Sequence, residues 1–133
     1  MSSPPGRQSG DPRPSRPVAA FLRGFTFAGQ GVWHAVRTQR NMRVHLAAAT
    51  AAVTVGIVLR IGAVQWACVA LAIGMVLAAE IVNTVVEAMI DLHTQQFHPL
   101  AKVAKDGAAG AVLVTSAAAV GVAIAVFVPR LLR

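Results

Sequence analysis

The sequence predicts an all-α membrane protein with three transmembrane helices and an N-terminal amphipathic helix at the membrane interface. Of its 133 residues, 56% are hydrophobic and only 13% are charged, and the mean hydropathy is +0.62. These values differ from those of an ordinary soluble domain, in which about a quarter of the residues are charged. Long stretches without charge recur along the chain, and its length allows one domain.

Three stretches are apolar enough to cross a bilayer, which requires about 20 residues, with a range of about 17 to 25. Residues 61–79 and 107–129 contain no Asp, Glu, Lys or Arg. Residues 44–59 are fewer, and they suffice if Arg43 and Arg60 extend toward opposite membrane surfaces. We therefore predict transmembrane helices at about 43–60, 64–91 and 107–128, with a polar loop at 93–106.

Two further segments precede the spans. Residues 1–17 are polar and rich in proline, and they predict a disordered cytoplasmic tail. Residues 18–39 alternate aromatic and aliphatic side chains with polar ones, which predicts a helix lying in the interface. Because glycine lowers helix propensity, this pattern favours a break near Gly29. Residues 18–133 are predicted to form one integral-membrane domain.

Basic residues are distributed unevenly about the predicted spans. Seven arginines precede the first span and two lysines lie between the second and third, whereas three arginines fall on the other side. This positive-inside asymmetry predicts a cytoplasmic N-terminus and an outside C-terminus. The net charge of +7 therefore indicates topology and attraction to anionic lipid headgroups, and no nucleic-acid partner is expected.

The second predicted span carries a concentration of acidic residues near its C-terminal end. At about 100° per residue, one helix face spanning about 80° holds three carboxylates and an amide, namely Glu80, Asn83, Glu87 and Asp91. Glu80 and Glu87 are separated by about 10.5 Å along the axis, at about 1.5 Å per residue. Glu80 is therefore expected to lie deeper in the membrane. Carboxylates at such depth are costly and usually mark a functional site.

This acidic face suits the transfer of a phosphoryl group to a hydroxyl at the membrane surface. A carboxylate removed from water, as expected of Glu80, can act as a general base. A shallower carboxylate suits Mg²⁺, which prefers oxygen ligands and often binds phosphate oxygens as well. Lys105 and Asp106 can add positive charge and a further ligand. His45 and His93 are interpreted as interfacial or loop residues rather than ligands.

The signature of the small prokaryotic diacylglycerol kinase family resembles the motif Glu80-x-x-Asn83-Thr84-x-x-Glu87-x-x-x-Asp91. The stretch that follows this signature in the family is similar to residues 97–111. Two stretches of this chain resemble the Gram-positive-type branch of the family, whose members favour undecaprenol. They are Arg40-Asn41-Met42-Arg43-x-His45 and residues 98–102. The resemblance covers about residues 19–128 and leaves out the tail.

The resemblance implies an enzyme of the bacterial inner (plasma) membrane, a homotrimer with active sites between subunits. It would use ATP and Mg²⁺ to phosphorylate a membrane lipid alcohol, undecaprenol or diacylglycerol. The resemblance also implies residue roles: Glu80 as general base, Asn83 as orienting residue, Glu87 as Mg²⁺ ligand, Asp91, Gln96, Phe97, His98, Lys105 and Asp106 in nucleotide binding, and Arg23 and Arg43 near the lipid headgroup.

One position departs from the family pattern. Members usually carry a glutamate metal ligand at the position that Gln39 occupies here. Because a neutral amide oxygen binds Mg²⁺ more weakly than a carboxylate, weaker metal binding is expected. Three hypotheses remain open: a lipid kinase, a small proton or cation conductor that uses Glu80, and a weakly active family member that serves as an assembly partner because of Gln39. The sequence does not separate undecaprenol from diacylglycerol.

Overall fold

The fold is all-α, as predicted. A computed structural model describes residues 17–94 and 96–132, with side chains from residue 21 onward. Residues 1–16 of the predicted tail lie outside the described residues, and Pro17 begins the first helix. The four helices are α1 (Pro17–Thr38), α2 (Arg40–Val58), α3 (Ala63–His93) and α4 (Pro99–Leu131).

The three long helices α2, α3 and α4 are each long and apolar enough to cross a membrane. This confirms the three predicted spans. Their outward side chains are mostly apolar, and Leu71 and Leu113 are 66% and 70% exposed. Such exposure would be costly in water, and it is favourable when the surrounding solvent is lipid.

The described part of the chain divides into two compact units, one that ends at Gly31 and one that begins at Val32. In the first unit, the rings of Phe21 and Phe25 meet edge to face with their centroids 5.1 Å apart. The predicted break near Gly29 is wrong, because α1 continues without interruption to its last residue. One glycine lowers helix stability by only about 1 kcal/mol, which is too little to break a helix of this length.

Within the second unit, α3 runs antiparallel to α2 and α4 and packs mainly against α4. Two contacts fix this direction. The ammonium of Lys105, near the start of α4, bonds Asp91 near the end of α3. Arg130, near the end of α4, bonds Gln65 near the start of α3. We call the end where α3 finishes the acidic end, and the end where α2 turns into α3 the turn end.

The turn end is held by side chains that bond the backbone. Arg130 donates from Nη1 to the Arg60 carbonyl at 3.3 Å and from Nη2 to Gln65 Oε1 at 3.0 Å. The same Gln65 oxygen accepts from the Gly62 amide at 2.9 Å. Arg60 has a φ of 48°, a left-handed conformation that disfavours non-glycine residues. These bonds offset its cost and close the turn.

An apolar cluster lies beside this turn. Ile61, Val69 and Val126 are buried there, and Trp66 packs against them. Gly56 is also buried on α2, because the Trp66 ring lies over it. A Cβ atom added at Gly56 would lie 2.9 Å from Trp66 Cη2 and 3.1 Å from Ile61 Cδ1. The close approach of α2 to this ring therefore depends on the missing side chain.

The predicted polar loop at 93–106 is shorter in the structure, because α4 already begins at Pro99. Proline is favourable at the first helical position, where its missing amide hydrogen is not needed. The His98 ring accepts a hydrogen bond from the Leu100 amide at 3.2 Å and caps the helix. The charged residues 102, 105 and 106 therefore belong to α4, which extends beyond the apolar part of its span.

We expect Gly56→Ala to destabilise the bundle by about 1–3 kcal/mol, the usual range for overpacking a core. The added methyl group would push against the Trp66 ring. Thermal unfolding in detergent, followed by circular dichroism, measures the change. Gly121→Ala on α4 is the control, because its Cβ would have open space. Equal melting temperatures for the two variants would contradict this account of the turn end.

Candidate functional site

The acidic end is built around a buried carboxylate. Glu80 is only 1% exposed and, with Met42 of α2, is one of the two largest side chains buried to this degree among the described residues. Its Oε2 atom has no hydrogen-bond partner in the described part of the chain. Its backbone carbonyl accepts from the Thr84 hydroxyl at 2.9 Å. An apolar helix thus holds a carboxylate whose oxygen is left available.

The polar face of α3 becomes more exposed toward the end of the helix. Glu80 is 1% and Asn83 is 5% exposed, Glu87 is half-buried and Asp91 is exposed. The gradient follows from the helix rise, because each turn moves the face about 5.4 Å along the axis. Groups at four depths are therefore presented along one side of a single helix.

Two amide side chains hold the Glu87 carboxylate. Asn83 Nδ2 donates to Glu87 Oε1 at 3.0 Å, from one turn earlier on the same helix. Gln39 Nε2 donates to Glu87 Oε2 at 3.4 Å, from 48 residues away. Gln39 can reach it because it is the extended residue between α1 and α2, with φ −95° and ψ 121°. The structure therefore brings together both residues that were predicted as metal ligands.

The residues predicted to bind nucleotide lie where α3 ends and α4 begins. Lys105 Nζ donates to Asp91 Oδ1 at 2.6 Å and ties the two helices together. Lys102 forms an ion pair with Asp106, one turn along α4. Beside these pairs, the backbone N–H of Gln96 donates a hydrogen bond to the Thr94 hydroxyl. The rings of Phe97 and His98, the next two residues, are exposed.

The two arginines predicted to meet lipid headgroups are both exposed. Arg43 lies in the first turn of α2, two residues before His45. Arg23 lies on α1 in the first compact unit.

Sequence reasoning missed His45 as a site residue. It was interpreted as interfacial, but the structure places its Nε2 atom 3.9 Å from Glu80 Oε2. A signal for this role was present, since His45 is the one ionisable side chain within residues 44–59. Ionisable residues inside spans almost always face the protein interior and pair with one another.

A cavity of about 230 Å³ lies between α2, α3 and α4 and begins at His45. Alanine side chains, among them Ala48, Ala49 and Ala72, make up much of its wall, and Phe127 lies at its far end. The Ser116 hydroxyl lines the cavity and, as far as the described residues show, has no hydrogen-bond partner. A largely apolar space therefore lies between the three spans, with His45 of the acidic end in its lining.

Within residues 17–94 and 96–132, no group of three or more His, Cys, Asp or Glu side chains could hold a metal ion. A cation would instead use mixed oxygen donors. The Glu87 carboxylate and the oxygen of Gln39 are of the hard type that Mg²⁺ prefers. The Asn83 Oδ1 atom, buried and without a partner in the described chain, adds to the polar surroundings. This donor set suits Mg²⁺ and does not suit a softer metal.

Three apolar spans with a graded polar site at one end define an integral membrane protein with chemistry at the edge of its membrane-spanning bundle. Residues 26–127 match the sequence model of the prokaryotic diacylglycerol kinase family. An undecaprenol kinase of Bacillus subtilis (strain 168) is 40% identical over 111 residues, which cover 84% of this chain and 90% of that protein. A diacylglycerol kinase of Synechocystis sp. (strain ATCC 27184 / PCC 6803 / Kazusa) is 42% identical over 113 residues, which cover 84% of this chain and 65% of that protein.

The chain therefore belongs to the prokaryotic diacylglycerol kinase family, and it is an enzyme of the lipid-kinase class. The match includes the whole of α2 and α3 and most of α4. It therefore takes in every residue of the acidic end described above.

We expect the ion pair between Asp91 and Lys105 to contribute less than about 1 kcal/mol to stability, because exposed pairs are screened by water. A double-mutant cycle of Asp91→Asn and Lys105→Met, measured by thermal unfolding in detergent, gives this coupling. A coupling well above that limit would show that the pair holds α3 to α4. Loss of phosphate transfer in either variant without loss of stability would instead point to a role in binding.

Proposed function

We propose that this protein transfers the γ-phosphate of ATP to the hydroxyl of a membrane lipid alcohol, with undecaprenol favoured over diacylglycerol. The named activities of the two relatives support the lipid-alcohol class. The relative that matches over nine-tenths of its length is an undecaprenol kinase, which supports the preference. The observation that carries the proposal is the buried Glu80 carboxylate with its available oxygen.

Glu80 is the proposed general base. Its buried Oε2 atom accepts no hydrogen bond within the described residues and can therefore take the proton of a lipid hydroxyl that reaches it. As the hydroxyl oxygen forms its bond to the γ-phosphorus, its proton passes to Glu80 and the bond to the bridging oxygen of ADP breaks. Asn83 is placed one turn away, where it can keep Glu87 turned away from the base.

Glu87 and Gln39 are the proposed residues that hold Mg²⁺. Their side chains already meet, and half a turn of the Gln39 amide would present its oxygen instead of its nitrogen. Bound there, the ion would neutralise negative charge on the phosphates as the bond to ADP breaks. One carboxylate and one amide form a weaker site than two carboxylates, which agrees with the departure noted at Gln39.

The nucleotide is proposed to lie at the start of α4. Lys105 can share its ammonium between Asp91 and a phosphate oxygen, because Asp91 is exposed and one lysine carries three donor hydrogens. Asp106 is proposed to position Lys102 in the same way. Gln96, Phe97 and His98 supply an amide and two exposed rings beside these charges, which suits a nucleobase and ribose.

The remaining parts of the proposal concern placement in the bacterial inner membrane. Nine of the twelve Lys and Arg residues precede the first span or lie between the second and third spans in the sequence, which supports a cytoplasmic position for the acidic end and an outside C-terminus. Arg23 and Arg43 are proposed to meet anionic lipid headgroups. The apolar surfaces of the three spans would face lipid or the other copies of a homotrimer.

A second candidate is a small proton or cation conductor. The pair of His45 and Glu80 inside a bundle favours it, since such pairs occur in proton pathways. It would work without ATP, and the charged cluster at the start of α4 would then have no role. A third candidate is a weakly active assembly partner, which the neutral Gln39 favours.

We expect Glu80→Gln to reduce phosphate transfer at least about a hundredfold, because the amide cannot accept the proton. Labelled phosphate transferred from ATP to undecaprenol, and in parallel to diacylglycerol, is measured in detergent micelles. Cys68→Ala, twelve residues earlier on α3 and exposed, is the matched control and should keep its activity. Full activity in Glu80→Gln would exclude Glu80 as the base. Proton flux into vesicles without ATP, together with no transfer to either lipid, would favour the conductor.

We expect Gln39→Glu to make thermal stability depend on Mg²⁺. Without the ion, two neighbouring carboxylates repel each other and lower the melting temperature; with it, the stronger site binds and raises the melting temperature more than in the unchanged protein. Gln65→Glu adds a carboxylate at the turn end and is the control. An equal response to Mg²⁺ in both variants would remove position 39 from the metal site. Transfer that appears only in Gln39→Glu would support the assembly partner.

A further inference from the structure

The contact between His45 and Glu80 joins a buried acid–base group to a more accessible one. The distance from His45 Nε2 to Glu80 Oε2 is 3.9 Å. The Glu80 side chain is 1% exposed and the His45 side chain is 19% exposed. The two residues come from different helices, and His45 belongs to the second turn of α2.

A buried general base must lose its proton before the next turnover. Among the described residues, two titratable groups interact electrostatically with the Glu80 carboxylate: His45 from α2 and Glu87 from the same helix. Helix α4 contributes no such group. Glu87 is a poor acceptor, because both of its oxygens already accept hydrogen bonds from amide groups. A neutral imidazole, in contrast, offers a lone pair that can accept a proton.

We propose that His45 takes the proton from Glu80 after each phosphate transfer and passes it to water. The inference rests on the proposed role of Glu80 as the base. The proton taken from the lipid hydroxyl leaves the Glu80 carboxyl and binds the lone pair on His45 Nε2, which gives an imidazolium. The proton on Nδ1 then leaves to water, and exchange through water restores the starting tautomer. Glu80 is again an anion, and no oxidant or reductant is needed.

The geometry allows this transfer with a small movement. A distance of 3.9 Å exceeds a direct hydrogen bond by about 1 Å. Rotation of the flexible Glu80 side chain, or one bridging water molecule, closes such a gap. Catalytic contacts are often long before the substrate binds and shorten in the complex.

The position of His45 suits delivery to the aqueous phase. His45 lies five residues after the first residue of α2, or about 7.5 Å along the axis at about 1.5 Å per residue. Arg40 and Arg43, both exposed, occupy the turns between His45 and that end. A histidine at this depth can reach the base on one side and the interface on the other.

The cavity beside His45 permits a test that distinguishes a proton-transfer role of His45 from a purely structural one. An apolar cavity of about 150 Å³ admits benzene, and the cavity lined by His45 measures about 230 Å³. Removal of the histidine side chain enlarges it further. Free imidazole, which is smaller than benzene, should therefore enter the space left in His45→Ala and accept the proton in place of the missing ring.

The experiment measures kcat and KM for transfer of phosphate from ATP to the better of the two lipid alcohols, with the full chain in detergent. In His45→Ala we expect kcat to fall about a hundredfold, the lower end of the range for a positioned acid or base, with KM for the lipid unchanged. Added imidazole should restore at least about a tenth of the lost rate. His45→Gln, which keeps a hydrogen-bond donor but accepts no proton, should be as slow as His45→Ala. His34→Ala, an exposed histidine on α1, is the control and should neither slow nor respond.

The outcomes separate this inference from the proposed function. Full activity in His45→Gln, or no response of His45→Ala to imidazole while Glu80→Gln is inactive, would overturn the relay and leave Glu80 as the base. Full activity in Glu80→Gln would overturn the base itself. Rescue of Glu80→Gln by imidazole to the same extent as His45→Ala would show that His45 does not act through Glu80, and would also overturn the relay.

Discussion

The structure depends on keeping one carboxylate, Glu80, inside an apolar helix. An ionised group surrounded by lipid is costly, and it is tolerated when neighbouring helices cover it and supply a polar partner. Helix α2 provides that cover, with His45 beside the carboxylate and Met42 buried one turn earlier. The rest of the bundle can then be simple, with small residues between the helices and apolar side chains outside. This one requirement determines where α2 and α3 must meet.

Differences in helix length turn this contact into a site with several depths. Helix α3 has 31 residues and α4 has 33, about 46 and 50 Å at about 1.5 Å per residue, whereas a bilayer core is about 30 Å thick. Helix α2, with 19 residues, has no such excess. The surplus turns of α3 and α4 therefore extend together past the start of α2, and they carry Glu87, Asp91 and Lys105. Because α2 begins there, Gln39 lies level with Glu87, and the two side chains meet.

The sequence was sufficient for the fold class and the spans, because long uncharged runs report directly on transfer into lipid. It was less informative about where helices end. Hydropathy made residues 99–106 look like loop, whereas the cap at His98 and the proline after it start a helix there. The acidic face of α3 could be read from helical periodicity. The contact of His45 with Glu80 could not, because 35 residues separate them and only the packing of two helices brings them together.

The neutral residue at position 39 changes how the acidic end is stabilised. With glutamate there, as in the family pattern that this chain resembles, two carboxylates would lie close together and would repel each other unless a cation were bound. Gln39 instead donates a hydrogen bond to Glu87, and Asn83 donates a second. A hydrogen bond of normal length to a charged group contributes about 1.5–3 kcal/mol, and the longer contact from Gln39 contributes less. These bonds stabilise the acidic end without a metal, and Mg²⁺ at the proposed site would have to compete with these amide groups for the same carboxylate. Binding of the proposed ion would therefore require Glu87 to release its amide partners, so that the metal is expected to be held most firmly when phosphate oxygens complete its coordination.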